Sequence, residues 1–292
     1  MARPTEKPAK RSSTVRGQLE SARSALARAR VPAGWLDAEV LLAHVLKRPR
    51  EWLHTYPERR VASRQRQAFQ RLVRRRAARV PVAYLTGERE FFGHRLRVTP
   101  AVLIPRPETE RLVELAIDWL GKHPGARQVI DLGTGSGAIA IAVAAAVPSA
   151  RVRALDVSQR ALRVATSNIR AQRLASRVKP ERRDLLAGAR KADLILGNLP
   201  YVSTPQQRSW PRDLEFEPLR ALDGGRDGLD LIRAAITQAP AVIRPGGALL
   251  FECEPGQTRR IASIAGRTWP SATISVHQDL AGRNRVVQIE LQ

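Results

Sequence analysis

Two short stretches bear residue types that could do chemistry together. One is Asn198-Leu199-Pro200-Tyr201, at the end of the apolar run Leu194-Ile195-Leu196. The run reads as a buried strand. Pro200 has no N–H and keeps Leu199 out of the α region, so the chain leaves the strand extended. That conformation can aim the Asn198 side-chain oxygen and the Leu199 carbonyl into one small space. Two adjacent acceptors suit an –NH2 group, which has two hydrogens to donate. Tyr201 could then stack on a planar substrate or wall its pocket. An ordinary strand followed by a proline turn would look the same, so the argument needs the second stretch.

That stretch is Asp131-Leu132-Gly133-Thr134-Gly135-Ser136-Gly137, which follows one apolar segment and opens a helical one. Its glycines permit close backbone approach to a ligand. A dinucleotide site would prefer G-x-G-x-x-G, to seat a pyrophosphate on the helix N-terminus. Here the spacing is G-x-G-x-G with an acid ahead of it. Asp131 would repel a phosphate, but it could accept from an amino group or steady the loop. Asp156 ends the second strand, where an acid grips ribose hydroxyls. Asp184 follows the third and could hold an adenine amino group, directly or through water. Three acids at successive strand ends suit a nucleoside without phosphates, and S-adenosylmethionine fits. Ligands of open α/β sheets bind beyond the carboxyl ends of the strands. The motif order therefore sets a methyl donor beside an amino-group acceptor.

The elements that must position these residues alternate from about residue 128. Strands are expected near 128–133, 151–156, 177–183, 192–198 and 247–253, and helices near 136–147, 158–171, 228–243 and 256–265. Such alternation implies a parallel sheet with helices on both faces. Segments 272–277 and 285–289 read as a terminal antiparallel hairpin added to it. Upstream, Leu19, Leu26, Leu36, Val40, Leu41 and Val45 recur at helical spacing. A helix near 63–79 has Phe69, Leu72 and Val73 on one side and Arg64, Arg66, Arg71, Arg74, Arg75 and Arg76 on the other. Residues 17–80 are read as a small helical bundle. Segment 90–98 reads as a hairpin turning at Gly93-His94, within a linker spanning 81–106. Pro107 can occupy a first helical turn, with Glu108 and Glu110 near its positive end.

The 292 residues carry a formal charge of +23. Residues 1–80 hold 20 Lys+Arg against 6 Asp+Glu, so the basic excess is concentrated there. This favours an acidic partner or RNA-rich surroundings, unless arginine merely decorates solvated helices. The single cysteine, Cys253, lies in an apolar stretch and excludes an internal disulfide framework. The five histidines have no metal-ligand spacing, so no metal is expected. The longest apolar run is too short to span a bilayer. Residues 1–16 have no apolar signal segment; Glu6 and the prolines favour a disordered basic tail over a transit peptide.

The Asp131–Gly137 loop resembles that of class I methyltransferases that use S-adenosylmethionine. Asn198-Leu199-Pro200-Tyr201 resembles the Asn-Pro-Pro-Tyr motif of enzymes that methylate planar –NH2 groups. Ile104-Pro105-Arg106-Pro107-Glu108-Thr109-Glu110 is similar to a signature of the HemK-type glutamine methyltransferases acting on peptide chain release factors. Segments 217–225 and 279–285 also look like family segments. The resemblance implies an α/β Rossmann-like fold, mostly parallel with a C-terminal antiparallel hairpin, preceded by the small helical bundle. It implies a substrate-recognition domain over 17–80 and a catalytic domain over 107–292. The implied reaction methylates the side-chain nitrogen of the glutamine in the Gly-Gly-Gln motif of a release factor.

On this reading the donor sits on Asp131, Gly133, Thr134, Gly135, Ser136, Gly137, Asp156, Asp184 and Asn198. The acceptor meets Asn198, Leu199, Pro200 and Tyr201. Arg106, Glu108 and Glu110 either shape the pocket from the other side or cap the helix. A cytoplasmic monomer is expected, with no membrane and no required nucleic acid. The departure from the family is Leu199, where a first proline is usual. Leucine still supplies the carbonyl, so activity should survive with some loss of rigidity. The alternatives are a nucleic-acid adenine methyltransferase, and a non-catalytic protein that binds release factor or ribosome. No obvious target-reading domain follows the catalytic one, as an extruded base would require.

Overall fold

The computed structural model describes residues 13–292 and divides them into two compact units, one ending at Gly87 and the other running from Glu88 to Gln292. The basic tail expected over 1–16 lies outside the described residues as far as residue 12. By Val15 the chain is already helical.

The first unit comprises α1 (Val15–Arg28), α2 (Gly34–Leu46), α3 (Arg50–Thr55), α4 (Ser63–Ala77) and α5 (Val82–Thr86). Thr14 caps α1 by accepting from the Gly17 N–H, and Val15, Leu19, Ala22 and Leu26 line its buried face. A Cβ on Gly34 would lie 2.8 Å from Leu26 Cβ, so α2 approaches α1 through a glycine. Glu39 is buried on α2. Burial pushes its carboxyl up, but hydrogen bonds from Arg50 and Arg23 and the nearby His54 bring it below the usual range.

On α4 the apolar stripe holds: Phe69 and Val73 are buried. Arg76, expected on the charged outer face, is instead buried, with Nε donating to Asp37 Oδ2 at 2.6 Å. Its position three residues beyond Val73 turns it inward, and Asp37 compensates the charge.

The second unit starts with a hairpin, β1 (Glu88–Phe91) and β2 (His94–Arg97). The turn is Phe92-Gly93, both with positive φ, and not Gly93-His94; His94 is already paired with Phe91. After a 3-10 turn, Pro107–Thr109, come α6 (Glu110–Lys122), β3 (Gln128–Leu132), α7 (Ala138–Ala146), β4 (Arg151–Asp156), α8 (Gln159–Ala171), β5 (Val178–Arg182) and β6 (Ala192–Gly197). Then follow α9 (Asp230–Gln238), β7 (Ile243–Glu252), α10 (Thr258–Thr268), β8 (Thr273–Gln278) and β9 (Asn284–Glu290).

The sheet order is β5-β4-β3-β6-β7-β9-β8. β3 to β7 are parallel, and β9 pairs antiparallel with both β7 and β8. The sheet is covered on both faces, as the nearly continuous apolar strands require. One cluster joins Leu112, Ala116, Ile141 and Val143 to Val129, Leu194 and Leu250; the other joins Ile232, Ile236 and Ile261 to Ile130, Ile195 and Leu249. Phe91 and Leu96 belong to the first cluster, so the hairpin packs within this unit. Asn168 of α8 fixes it: Oδ1 accepts from the Arg97 N–H, and Nδ2 donates to the carbonyls of Arg97 and Ser136. Among the described residues no helix is long and apolar enough to cross a membrane.

Candidate active site

The strand order reverses between β3 and β6, where an open parallel sheet leaves a crevice at its carboxyl edge. A cavity opens there. Its wall includes Gly133, Asp156, Asp184, Asn198, Pro200 and Arg106. The loop after β3 and the segment after β6 therefore share one space.

Gly133 has φ +75°, a conformation costly for other residues, and a Cβ on it would lie 3.1 Å from Leu199 Cδ2. The loop thus presses directly on the Asn198–Tyr201 segment. Four of its amides are committed internally. The N–H groups of Gly133 and Thr134 both donate to the Leu155 carbonyl, Gly135 donates to Asp156 Oδ2, and Gly137 to the Thr134 carbonyl. Apolar Leu132, Ile139, Leu155 and Leu185 line the cavity beside the loop.

Asp131 belongs to the scaffold of this loop and not to the cavity wall. It is fully buried, and its Oδ2 accepts from the Thr134 hydroxyl and the Ala140 N–H. Burial pushes its pKa up to about 7. Of the two roles open to it, this arrangement serves loop steadying. Asp156 does line the cavity; its oxygens accept from Gly135 and Ser158, and burial raises its carboxyl against those two bonds. Asp184 lines the cavity too. Thr134, Gly135 and Ser136 face it, while Gly137 turns away toward Ala165 of α8.

Asn198 follows β6, with Nδ2 donating to Thr109 Oγ1 at 2.9 Å. Its Oδ1 closes no hydrogen bond among the described residues. The cavity wall continues through Leu199 and Pro200 and stops before Tyr201. The tyrosine hydroxyl donates to Glu252 Oε1 at 3.1 Å, and burial raises its pKa, so the ring anchors the segment from behind.

The residues expected to shape the far wall divide. Arg106 lines the cavity and pairs with buried Glu217, whose other oxygen accepts from the Ile104 N–H. Glu108 is exposed. Glu110 Oε1 accepts from the Phe92 N–H and secures the hairpin turn. Cys253 is buried, which pushes its thiol up to about 12 and leaves no nucleophile there.

Four supports were not singled out from the sequence. The first is the pair of buried side chains that meet the segment from behind, Thr109 at Asn198 and Glu252 at Tyr201. The second is the backbone clamp on Val202, whose N–H donates to Leu222 and whose carbonyl accepts from Gly224. The third is Gln257, donating to the Tyr201 carbonyl at 2.8 Å. The last is Gly228, packed against that carbonyl. Glu252 had a visible signal, an acid closing the apolar run Leu249–Phe251; Gln257 had none.

Comparison with known proteins identifies what the chain is similar to. Residues 18–87 match the PrmC N-terminal domain family, and 113–210 match the methyltransferase small domain family. The chain is 42% identical over 253 residues to a release factor glutamine methyltransferase of Xylella fastidiosa, covering 86% of this chain and 91% of that one. It is 40% identical to the protein of the same name from Moorella thermoacetica, covering 93% and 96%. Among solved structures, it resembles a T. thermophilus 16S rRNA N2 G1207 methyltransferase in complex with AdoMet and guanosine. There the TM-score is 0.51 at 19% identity, over 70% of this chain and 50% of that one, a likeness of fold.

Proposed function

Since the chain belongs to the release factor glutamine methyltransferases, we propose that it transfers a methyl group from S-adenosylmethionine to the side-chain nitrogen of the Gly-Gly-Gln glutamine of a release factor. One observation supports the reading most: the glycine loop and Asn198 open into the same cavity, with Asn198 Oδ1 unengaged among the described residues. Bound S-adenosylmethionine would supply an electrophilic methyl group. Asp156 would accept from its ribose hydroxyls and Asp184 from its base, while the loop amides, already bonded internally, would not demand a phosphate.

An amide nitrogen is a poor nucleophile because its lone pair is delocalised into the carbonyl. Asn198 Oδ1 and the Leu199 carbonyl would accept its two hydrogens. That holds the amide plane so that the lone pair faces the methyl group, and it stabilises the positive charge developing on nitrogen; as the N–C bond forms the C–S bond would break, S-adenosylhomocysteine would leave with the electron pair, and the nitrogen would give up one proton to solvent. Fixed alignment supplies much of the remaining acceleration, with effective molarities on the order of 10⁵–10⁸ M for well-held reactants. The first unit, rich in exposed arginine, would recognise the intact release factor, and the enzyme would act as a monomer in the cytoplasm.

Mass spectrometry of release factor after incubation with the protein and S-adenosylmethionine tests the reading. Methylation of the Gly-Gly-Gln glutamine is expected, and Asn198→Ala should abolish it while leaving donor binding nearly intact. Transfer to a nucleic acid instead, or turnover by the alanine variant near wild type, would refute it.

A further inference from the structure

Three stretches distant in the chain are stitched together at the acceptor end of the cavity. Thr109 Oγ1 accepts from Asn198 Nδ2 at 2.9 Å, and the Thr109 N–H donates to the Arg106 carbonyl at 3.1 Å, so Arg106 begins the turn that touches Asn198. Arg106 lines the cavity, with its side chain 33% exposed. One of its Nη groups donates to Glu217 Oε1. Its Nε and other Nη close no hydrogen bond among the described residues. Glu217 is buried, and its Oε2 accepts from the Ile104 N–H at 3.0 Å. Both carboxylate oxygens therefore serve as acceptors for the stretch 104–106, a double role that a side-chain amide could not fill.

The methyl-transfer reading leaves one polar atom of the substrate without a partner. A primary amide offers two hydrogens and one carbonyl oxygen. Asn198 Oδ1 and the Leu199 carbonyl take the hydrogens, and the oxygen enters the cavity with them. Leaving it unpaired there would be unfavourable. Of the residues from these segments that line the cavity, Leu103, Pro105, Leu199 and Pro200 carry no side-chain donor. Thr109 sits at the Nδ2 end of Asn198, away from Oδ1. Arg106 has unused donors.

We propose that Arg106 donates to the carbonyl oxygen of the substrate glutamine side chain, and that Glu217 is the positioning residue that presents the guanidinium to it; this rests on the methyl-transfer reading above. Three contacts then define both the plane of the amide and its direction. An amide entering the other way round would set its oxygen against Asn198 Oδ1 and its –NH2 against the guanidinium. The ion pair also selects the kind of ligand. Glu217 already balances the charge of Arg106, so the remaining N–H groups offer directional bonding to a neutral oxygen and little attraction for a further anion. That favours the acceptor amide over the carboxylate of S-adenosylmethionine.

The test measures binding and turnover by the full chain. It uses release factor, and release factor with alanine in place of the Gly-Gly-Gln glutamine, each in the presence of S-adenosylhomocysteine for binding. Arg106→Lys keeps a cation for Glu217 but loses the planar fork that can serve two acceptors at once. It should weaken binding of release factor about 10- to 150-fold, the worth of a hydrogen bond from a charged group, and lower kcat/KM by at least that factor. The alanine release factor should bind Arg106→Lys and wild type equally, because it has no side-chain carbonyl to lose. Glu217→Gln can accept at only one of its two contacts and should show the same selective loss. The double variant should bind no worse than the weaker single one. Affinity for S-adenosylhomocysteine should stay at wild type throughout.

Equal losses against both release factors would make the pair merely structural and overturn the proposal. Weakened S-adenosylhomocysteine binding would overturn it too, by moving Arg106 to the donor, as would wild-type affinity of Arg106→Lys for release factor. If Glu217→Gln does not fold, Arg106→Lys decides alone. If wild type methylates no glutamine, the functional reading fails and this inference falls with it; if wild type methylates and the variants do not discriminate, only the inference fails.

Discussion

Gly228→Ala should slow methyl transfer although residue 228 does not line the cavity. Gly228 has φ +75°, and a Cβ there would lie 2.2 Å from the Tyr201 carbonyl oxygen and 2.4 Å from Gln257 Nε2. Both atoms belong to the hydrogen bond that fastens the acceptor segment. Ordinary contact distances are more than an ångström longer, so the Tyr201 carbonyl or Gln257 must move by about that much. Left-handed alanine costs ~1–2 kcal/mol, and the lost hydrogen bond about 1 kcal/mol. The sum of about 2–3 kcal/mol corresponds to a fall in Tm of roughly 4–12 °C for a unit of this size.

Tyr201 is three residues from Asn198, on a segment that Pro200 keeps stiff. A displacement of about 1 Å at the acceptor can cost ~10²-fold in kcat. Thermal unfolding, calorimetry with S-adenosylhomocysteine and steady-state kinetics read the three consequences separately. Reduced Tm and kcat with unchanged donor affinity are expected. Wild-type kcat in a folded variant of lowered Tm would refute the idea that this clamp positions the acceptor.

Three further outcomes are expected. Asp131 has a folded pKa of about 7 against an ordinary 3.8, so the fold favours its protonated form; the stability this confers is complete at low pH and is lost as pH rises toward and through about 7. Asp131→Asn keeps an oxygen for Thr134 and Ala140 but cannot ionise, so its Tm measured across that range should vary less with pH, and an undiminished slope would locate the titration elsewhere. Asp156→Ala should weaken S-adenosylmethionine binding by about 10- to 150-fold, the ~1.5–3 kcal/mol of a charge-assisted hydrogen bond. Calorimetry showing wild-type affinity would return Asp156 to its bonds with Gly135 and Ser158 alone. Arg76→Ala should destabilise the first unit by ~3–5 kcal/mol, since it strands Asp37. Exposed Arg74→Ala and Arg75→Ala should stay within about 0.5 kcal/mol, and equal Tm values for all three would contradict the burial of Arg76.

What was legible in the sequence was whatever depends on local order. Apolar runs separated by helical spacing placed β3, β4, β6 and β7 to within a few residues, because these strands are mostly buried on both faces, whereas β5 at the sheet edge is mixed in character and partly exposed. That the two motifs share one carboxyl edge was legible too; that β6 pairs beside β3, so that the strand order reverses there, was not. Less legible was the inward turn of Arg76, since a run of three arginines looks uniformly solvated until Asp37, 39 residues earlier, is brought beside it. The same limit hid Glu217, whose partner Arg106 lies 111 residues away. Tyr201 was read by its chemistry as a stacking surface, yet its hydroxyl found a buried carboxylate on a neighbouring strand.

Leu199 bears on how such a site tolerates change. A proline there would restrain the backbone; the leucine restrains it by packing. Its side chain is 3% exposed, lies against Gly133 on the donor loop, and joins the same apolar cluster as Ile130 and Phe251. A buried leucine contributes ~1.5–3 kcal/mol of apolar transfer, more than the ~0.4–1 kcal/mol that a proline's restraint of the chain supplies. The main-chain carbonyl proposed to accept from the substrate at 199 is present with either residue, and a proline at 200 favours an extended residue before it. The acceptor geometry therefore depends on the groups that bracket the segment, Thr109 at Asn198 and Gln257 at Tyr201, more than on the identity of the residue between asparagine and proline.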